Sequence, residues 1–173
     1  MLPGLSLVLG GAASGKSAFA EGLVKATGRG LVYFATAEIH DDEMRAKVER
    51  HQRLRGAGWN TIEEPLDIGR PLAAIGGDQA VLLDCVTMWL SNHMLAENDL
   101  AEAEAELMAG LALCAAPVVI VSNEVGLSVV PENALARRFR EEQGRLNQKL
   151  AVKADLVVNV VAGLPQVLKG TLP

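Results

Sequence analysis

Leu5–Ser17 reads LSLVLGGAASGKS, an apolar run that drops straight into glycines and small residues and ends on a lysine–serine pair. Gly10, Gly15, Lys16 and Ser17 fit G-x-x-x-x-G-K-[ST]. The run before the motif has the character of a buried strand, and the helical pattern after it extends from near Lys16 to about Ala26. That context separates a phosphate loop from a chance glycine turn. Glycines reach positive φ and let backbone N–H groups approach phosphate oxygens, while the following helix offers the positive end of its dipole. The loop Gly10, Gly11, Ala12, Ala13, Ser14, Gly15, Lys16 and Ser17 is therefore read as a nucleotide-binding element. Lys16 would act on the β and γ phosphates, and Ser17 would hold Mg²⁺.

Working outward, strand-like runs recur at Leu31 to Ala35, Ala80 to Asp84, Val118 to Ser122 and Leu156 to Val161, with helical patterns between most of them. Repeated βα units imply an α/β fold of the P-loop NTPase kind, a mostly parallel sheet flanked by helices. A shorter candidate strand covers Asn60 to Glu63, and PQVLKG near the C-terminus allows an antiparallel edge strand. The stretch NDLAEAEAELMAGLALC predicts a helix burying Leu100, Leu107, Leu111 and Cys114, with Glu102, Glu104 and Glu106 largely on other faces. A second helix is expected after Pro131, with Leu135, Phe139, Leu146 and Leu150 at helical spacing and the proline in its first turn.

The chain has 173 residues, which fits one domain spanning residues 1–173 that buries about 70% of its unfolded surface. Apolar residues make up 50% of it and aromatics only 3%, so the core must be aliphatic, as in helix-covered parallel sheets. A net charge of -5 argues against a sequence-independent nucleic-acid binder. Cys85 and Cys114 have neither ligand spacing nor a disulfide pattern and read as small hydrophobes. The N-terminal apolar stretch lacks the basic flank of a secretory signal, and no run approaches the roughly 20 residues of a membrane span, so a cytoplasmic protein is expected.

Asp84 closes the run AVLLD, where open α/β sheets present their ligand crevice. It is the best partner for Ser17 at a Mg²⁺–nucleotide site, although a strand-ending aspartate can also cap the next helix. Asn123 and Glu124 follow VVIVS in the same way and are candidates for orienting substrate. D-x-x-G and N-K-x-D do not occur, which counts against a GTPase switch; a small-molecule kinase survives.

Asp41 to Trp59, DDEMRAKVERHQRLRGAGW, begins acidic and ends basic, as a helix does when its charges complement the macrodipole. Met44, Val48 and His51 share one face, so His51 can be a core-facing histidine. Yet Arg45, Lys47, Arg50, Arg53 and Arg55 surround it, and arginine forks pair with phosphate oxygens. Spacing leaves both readings open.

The ordered set GGAASGKS, FATAEIHDDEMRAKVERHQ, GWNTIEEP, VLLDCVTMWLSN and VSNEVGLSVVPENALARRFREEQGRLNQKLA resembles the bifunctional adenosylcobinamide kinase / adenosylcobinamide-phosphate guanylyltransferases of cobalamin biosynthesis. The likeness runs from Leu5 to about Val161, and ATAEIHDDEM and NEVGLSVVPEN are its most specific parts. It implies that ATP or GTP phosphorylates adenosylcobinamide, and that GTP then donates GMP to the product through a guanylylated histidine. His51 occupies the matching position. The resemblance also implies nucleotide contacts from Ala35, Thr36 and Ala37, from Gln52, Arg53, Leu54 and Arg55, and from Glu63 and Asp84, and it implies a homotrimer. Glu63 would suit guanine, whose N1–H and 2-amino group can both donate to one carboxylate, although spacing makes Glu64 nearly as eligible. Two positions depart from the pattern. Arg50 precedes His51 where some members carry a second histidine, and Asp84 stands where glutamate can occur. A plain P-loop kinase for another metabolite, with His51 structural, is the competing reading, and a nucleotide sensor without turnover is a third.

Overall fold

A computed structural model describes residues 1–38 and 56–173. Among the described residues seven strands form one sheet, β1 (Leu5–Gly10), β2 (Gly30–Ala35), β3 (Trp59–Glu63), β4 (Gln79–Asp84), β5 (Val118–Asn123), β6 (Leu156–Val161) and β7 (Leu164–Lys169), in the order β3-β2-β4-β5-β1-β6-β7. All neighbours are parallel except β6 and β7. The expected α/β fold with an antiparallel C-terminal edge is therefore observed. The edge strand begins at Leu164, after a turn in which Ala162 and Gly163 both take positive φ. Such paired left-handed residues match the twist of a two-residue hairpin.

Helices α1 (Lys16–Lys25), α2 (Gly69–Ala73), α3 (Val86–Leu95), α4 (Leu100–Leu113) and α5 (Ala134–Lys153) cover the sheet. Alternation along the strands divides the core. Leu7, Phe34, Val81, Leu83 and Ile120 pack with Leu72, Trp89, Leu107, Leu146 and Leu150 from α2–α5, while Val8, Tyr33, Leu82, Val119 and Val158 pack with Ala20 and Val24 of α1. The two faces are filled almost entirely by aliphatic side chains, as the low aromatic content requires.

Several expectations need correction. Glu104 lies buried on α4 rather than on a solvated face, and its carboxylate pairs with the Lys149 ammonium of α5. Helix α5 starts at Ala134 with the Asn133 side chain accepting from Leu135 and Ala136 N–H, so Pro131 precedes the helix instead of opening it. Leu135, in that first turn, is exposed rather than on a buried face. Helices α2 and α3 have no counterpart in the sequence reading. The first has only five residues, and the second buries Val86, Thr87, Trp89, Leu90, Asn92, His93 and Met94, which leaves no apolar stripe to recognise. The helix expected over Asp41 to Arg55 lies outside the described residues.

The Glu104–Lys149 pair gives a direct test of how α4 and α5 are joined. Lys149→Met leaves a buried carboxylate without its cation and should lower unfolding free energy by about 2 kcal/mol, measured in urea. Adding Glu104→Leu should recover most of that loss, because the desolvated charge is then gone.

Candidate active site

The carboxyl ends of the parallel strands define one rim of the sheet. Strand register places Ala35 beside both Glu63 and Asp84, Asp84 beside Val121, and Gly10 beside both Asn123 and Val160. Gly10 to Ser17, Ala35 to Ala37, Glu63 and Asp84 thus meet at the same rim, although they are far apart in the chain. His51, Gln52, Arg53, Leu54 and Arg55 lie outside the described residues.

The phosphate loop is shaped by what surrounds it. A Cβ on Gly10 would sit 2.4 Å from Ser14 Oγ and 2.7 Å from Val160 O, so only glycine fits there. Gly15 caps α1 at φ 92°, a left-handed conformation, and a Cβ on it would come within 3.1 Å of Gly163 Cα. Ser14 N–H donates to Gly11 O at 3.3 Å, closing the turn. Lys16 Nζ donates to Gly11 O at 3.0 Å, which holds the ammonium over the loop. Ser17 is in the first turn of α1, partly buried.

Strand β5 lies between β1 and β4, so Asn123 comes between the phosphate loop and Asp84. Asn123 N–H donates to Thr87 Oγ1 at 2.8 Å, and its carbonyl accepts from Asn147 Nδ2 at 3.2 Å. Its side-chain Oδ1 is buried without a hydrogen-bond partner, a position at which a ligand donor or a water would offset the desolvation. Below it, Ser122 Oγ donates to Asn147 Oδ1 at 2.5 Å, and Gln143 Nε2 donates to both Ser122 Oγ and Asn147 Oδ1 at 2.9 and 3.0 Å. This buried network fixes the end of β5 against α5.

Thr36 performs the equivalent task between β2 and β4. Its buried Oγ1 donates to Cys85 O at 2.7 Å and accepts from Cys85 N–H at 3.0 Å, which ties Ala35–Ala37 to the residue after Asp84. Asn92 Nδ2 then donates to Thr36 O at 2.8 Å and to Pro65 O at 3.1 Å, linking the segments that follow β2 and β3. Trp89 Nε1 donates to Leu66 O at 2.8 Å, and His93 Nε2 lies 3.2 Å from the same carbonyl, which requires the Nε2–H tautomer. His93 Nδ1 is then the acceptor for Asn98 Nδ2 at 3.1 Å.

These bonds separate the two glutamates. Glu64 Oε1 accepts from Leu66 and Asp67 N–H at 3.1 and 3.0 Å, so this carboxylate is occupied within its own turn. Glu63 is exposed at the end of β3. The N-cap position of α3 is taken by Cys85, one residue after Asp84, and the Cys85 side chain makes no capping hydrogen bond. Thr87, Trp89, Asn92 and His93 went unnoticed in the sequence, where polar residues scattered on an apolar helix carry no motif.

Comparison with known proteins shows what this arrangement belongs to. The family model described as Cobinamide kinase / cobinamide phosphate guanyltransferase matches residues 6–168. The chain belongs to that family. It is 41% identical over 168 residues to the bifunctional adenosylcobalamin biosynthesis protein CobP of Pseudomonas aeruginosa, covering 95% of this chain and 96% of the relative. The bifunctional adenosylcobalamin biosynthesis protein CobU of Salmonella typhimurium is 42% identical over 174 residues, covering 91% and 96%. Among solved structures, flagellar accessory protein FlaH from Methanocaldococcus jannaschii matches with TM-score 0.55 at 13% identity, over 99% of this chain and 80% of that one. The RadB recombinase matches with TM-score 0.55 at 17% identity, over 91% and 74%. These two likenesses establish the fold and nothing more. As a member of the cobinamide kinase / guanyltransferase family, the chain is an enzyme that uses nucleotides as substrates. No helix among the described residues is long and apolar enough to cross a membrane.

Cys85 adjoins this site, yet its chemistry is suppressed. Burial, and then the neighbouring Asp84 charge, raise its thiol pKa from 9.0 to about 11. Alkylation with iodoacetamide at pH 8 should therefore spare Cys85 in the folded protein and reach it only in denaturant. The folded protein holds this proton more tightly than the unfolded chain does. The associated stability is whole below about pH 9 and is lost as pH rises toward 11. A Cys85→Ala variant should show a shallower loss over that interval in urea titrations.

Proposed function

We propose that this chain carries out both family reactions at the rim described above, phosphorylating adenosylcobinamide and then transferring GMP to the product. The observation that carries the reading is the convergence of the phosphate loop, Asp84 and Glu63 at one sheet edge in a member of this family. In the first reaction the adenosylcobinamide hydroxyl oxygen attacks the γ phosphorus of ATP or GTP. The P–O bond to the β phosphate breaks, and the nucleoside diphosphate leaves. Backbone N–H groups of Gly10 to Ser17 and the Lys16 ammonium stabilise the charge that develops on the phosphates.

In the second reaction a ring nitrogen of His51 attacks the α phosphorus of GTP, and pyrophosphate leaves. A phosphate oxygen of the cobinamide phosphate then attacks the same phosphorus, the P–N bond breaks, and adenosylcobinamide-GDP is formed. A neutral imidazole is a competent nucleophile near pH 7. Arg53 and Arg55, with Gln52 and Leu54, flank His51 in sequence and would bind the triphosphate, while Ala35, Thr36 and Ala37 would border the nucleotide. Glu63 would read guanine, and its exposure at the end of β3 supports that role over Glu64.

Ser17 and Asp84 supply hard oxygen donors at that edge, a set that suits Mg²⁺ bound chiefly through substrate phosphates. When bound, Mg²⁺ would neutralise charge on the phosphate oxygens. Because one nucleotide pose cannot present γ to the corrinoid and α to His51 equally well, a rearrangement between reactions is part of this reading. Gly56 and Gly58, both at positive φ, follow the His51 segment and are suited to be its hinge. The resemblance further supports a single-domain homotrimer acting on small molecules in the cytoplasm, without nucleic acid.

Incubation with α-labelled and, separately, γ-labelled GTP in the absence of acceptor tests the central step. Acid-labile, base-stable label from the α position, absent in His51→Asn, is the expected result. Transfer of γ phosphate to cobinamide without any covalent α label would leave a plain kinase. Glu63→Gln should reduce the preference for GTP over ATP in kcat/KM by about tenfold or more, because the replaced carboxylate no longer accepts from two guanine donors. Unchanged selectivity would remove Glu63 from base recognition.

A further inference from the structure

The phosphate loop is flanked by two exposed apolar segments, one from each neighbouring strand. On the β5 side, Leu127 is 92% exposed, Val129 90% and Val130 64%. On the β6 side, Leu164 is 72% exposed and Val161 57%. Both segments are tied to the loop itself. Glu124 N–H donates to Gly10 O at 3.1 Å, and Gly163 N–H donates to Ser14 O at 2.8 Å.

The longer segment is also held from behind. Glu124 Oε1 accepts from Gly126 N–H at 2.6 Å, Ser128 Oγ donates to Val125 O at 3.3 Å, and Arg137 Nη1 donates to Pro131 O at 3.0 Å. Arg140 Nη2 donates to Gly126 O. A backbone anchored by α5 thus carries branched aliphatic side chains into water beside the place where phosphate is bound. Large aliphatic side chains left this exposed, three of them within the four residues Leu127 to Val130, are surface of the kind that marks an interaction site.

We infer that these two segments are the seat of the corrin macrocycle, with Leu127, Val129 and Val130 on one side of the phosphate loop and Val161 and Leu164 on the other. The assignment rests on the proposed corrinoid kinase reaction. The reacting hydroxyl hangs from the ring by a single side chain, so the ring must lie against surface that adjoins the γ phosphate. A corrin offers broad, methyl-studded apolar faces, which aliphatic side chains cover well, and a periphery of amides that remains in water. Two grooves elsewhere among the described residues do not meet that requirement. One is bordered by Gly4, Leu5, Pro117 and Asp155 at the opposite edge of the sheet, and the other lies between α2 and α4.

The test uses the full chain with cobinamide as acceptor, comparing the wild-type protein with Leu127→Ser/Val129→Ser and Leu164→Ser. The KM for cobinamide should rise by roughly tenfold or more per lost side chain, with the KM for GTP and acceptor-independent GTP binding unchanged. Leu127→Met/Val129→Ile should restore the wild-type KM. Free 1-aminopropan-2-ol, an acceptor without the ring, should react equally slowly with all four proteins. An unchanged cobinamide KM in the serine variants overturns the assignment. So does a raised KM accompanied by a smaller assembly in light scattering, which would make the surface a contact between copies of the chain. A wild-type protein that binds GTP but never phosphorylates cobinamide would instead refute the kinase reading on which the assignment rests.

Discussion

Everything at the rim depends on how tightly the loop after β1 is wedged between its neighbours. Gly10 has no space for a side chain, and its carbonyl accepts from Glu124 N–H beyond β5. Ser14 and Gly15 meet the β6–β7 turn at Gly163. A phosphate-binding loop acts through backbone N–H groups, which must be aimed before the ligand arrives if they are to stabilise charge without reorganising. Contacts from both adjacent strands provide that aim. Insertion of β5 between β1 and β4 is therefore as much a part of the site as the glycines are.

The remaining strand ends are set by buried polar groups rather than by apolar packing. Thr36 joins β2 to β4, Asn92 joins the segments after β2 and β3, and Ser122, Gln143 and Asn147 hold the end of β5. Apolar contacts slide at little cost, whereas a buried hydrogen bond is lost abruptly and leaves an unsatisfied group. Such links suit a site in which the phosphate loop, Asp84 and Glu63 come from different strands. The apolar segments beside the loop have a different physical character, since they are anchored through their backbones and leave their side chains in water. The proposed nucleotide and corrinoid sites are thus two kinds of surface that meet at one loop.

Much of this was legible because motif, strand and helix signals agree locally. GGAASGKS is a backbone device with strict steric demands, and AVLLD ends a buried strand in a carboxylate, so neighbouring residues suffice to recognise each. Helix α3 was not legible, because burial on most sides removes the amphipathic period, and its polar residues look incidental until their carbonyl partners are known. Glu104 escaped for a related reason. Its place among acidic neighbours suggests solvent, and only the approach of Lys149 from α5 explains its burial.

By itself, the sequence determined the phosphate loop, the aliphatic parallel sheet and the family, since these depend on short segments and on residue order. Only the tertiary structure decided that β5 separates β1 from β4, that Glu64 is occupied in its own turn while Glu63 is exposed, and that two apolar segments border the loop. Those facts depend on strand order and on hydrogen bonds between residues distant in the chain. No local pattern of side chains encodes such pairings, because they form only when the whole sheet closes around its core.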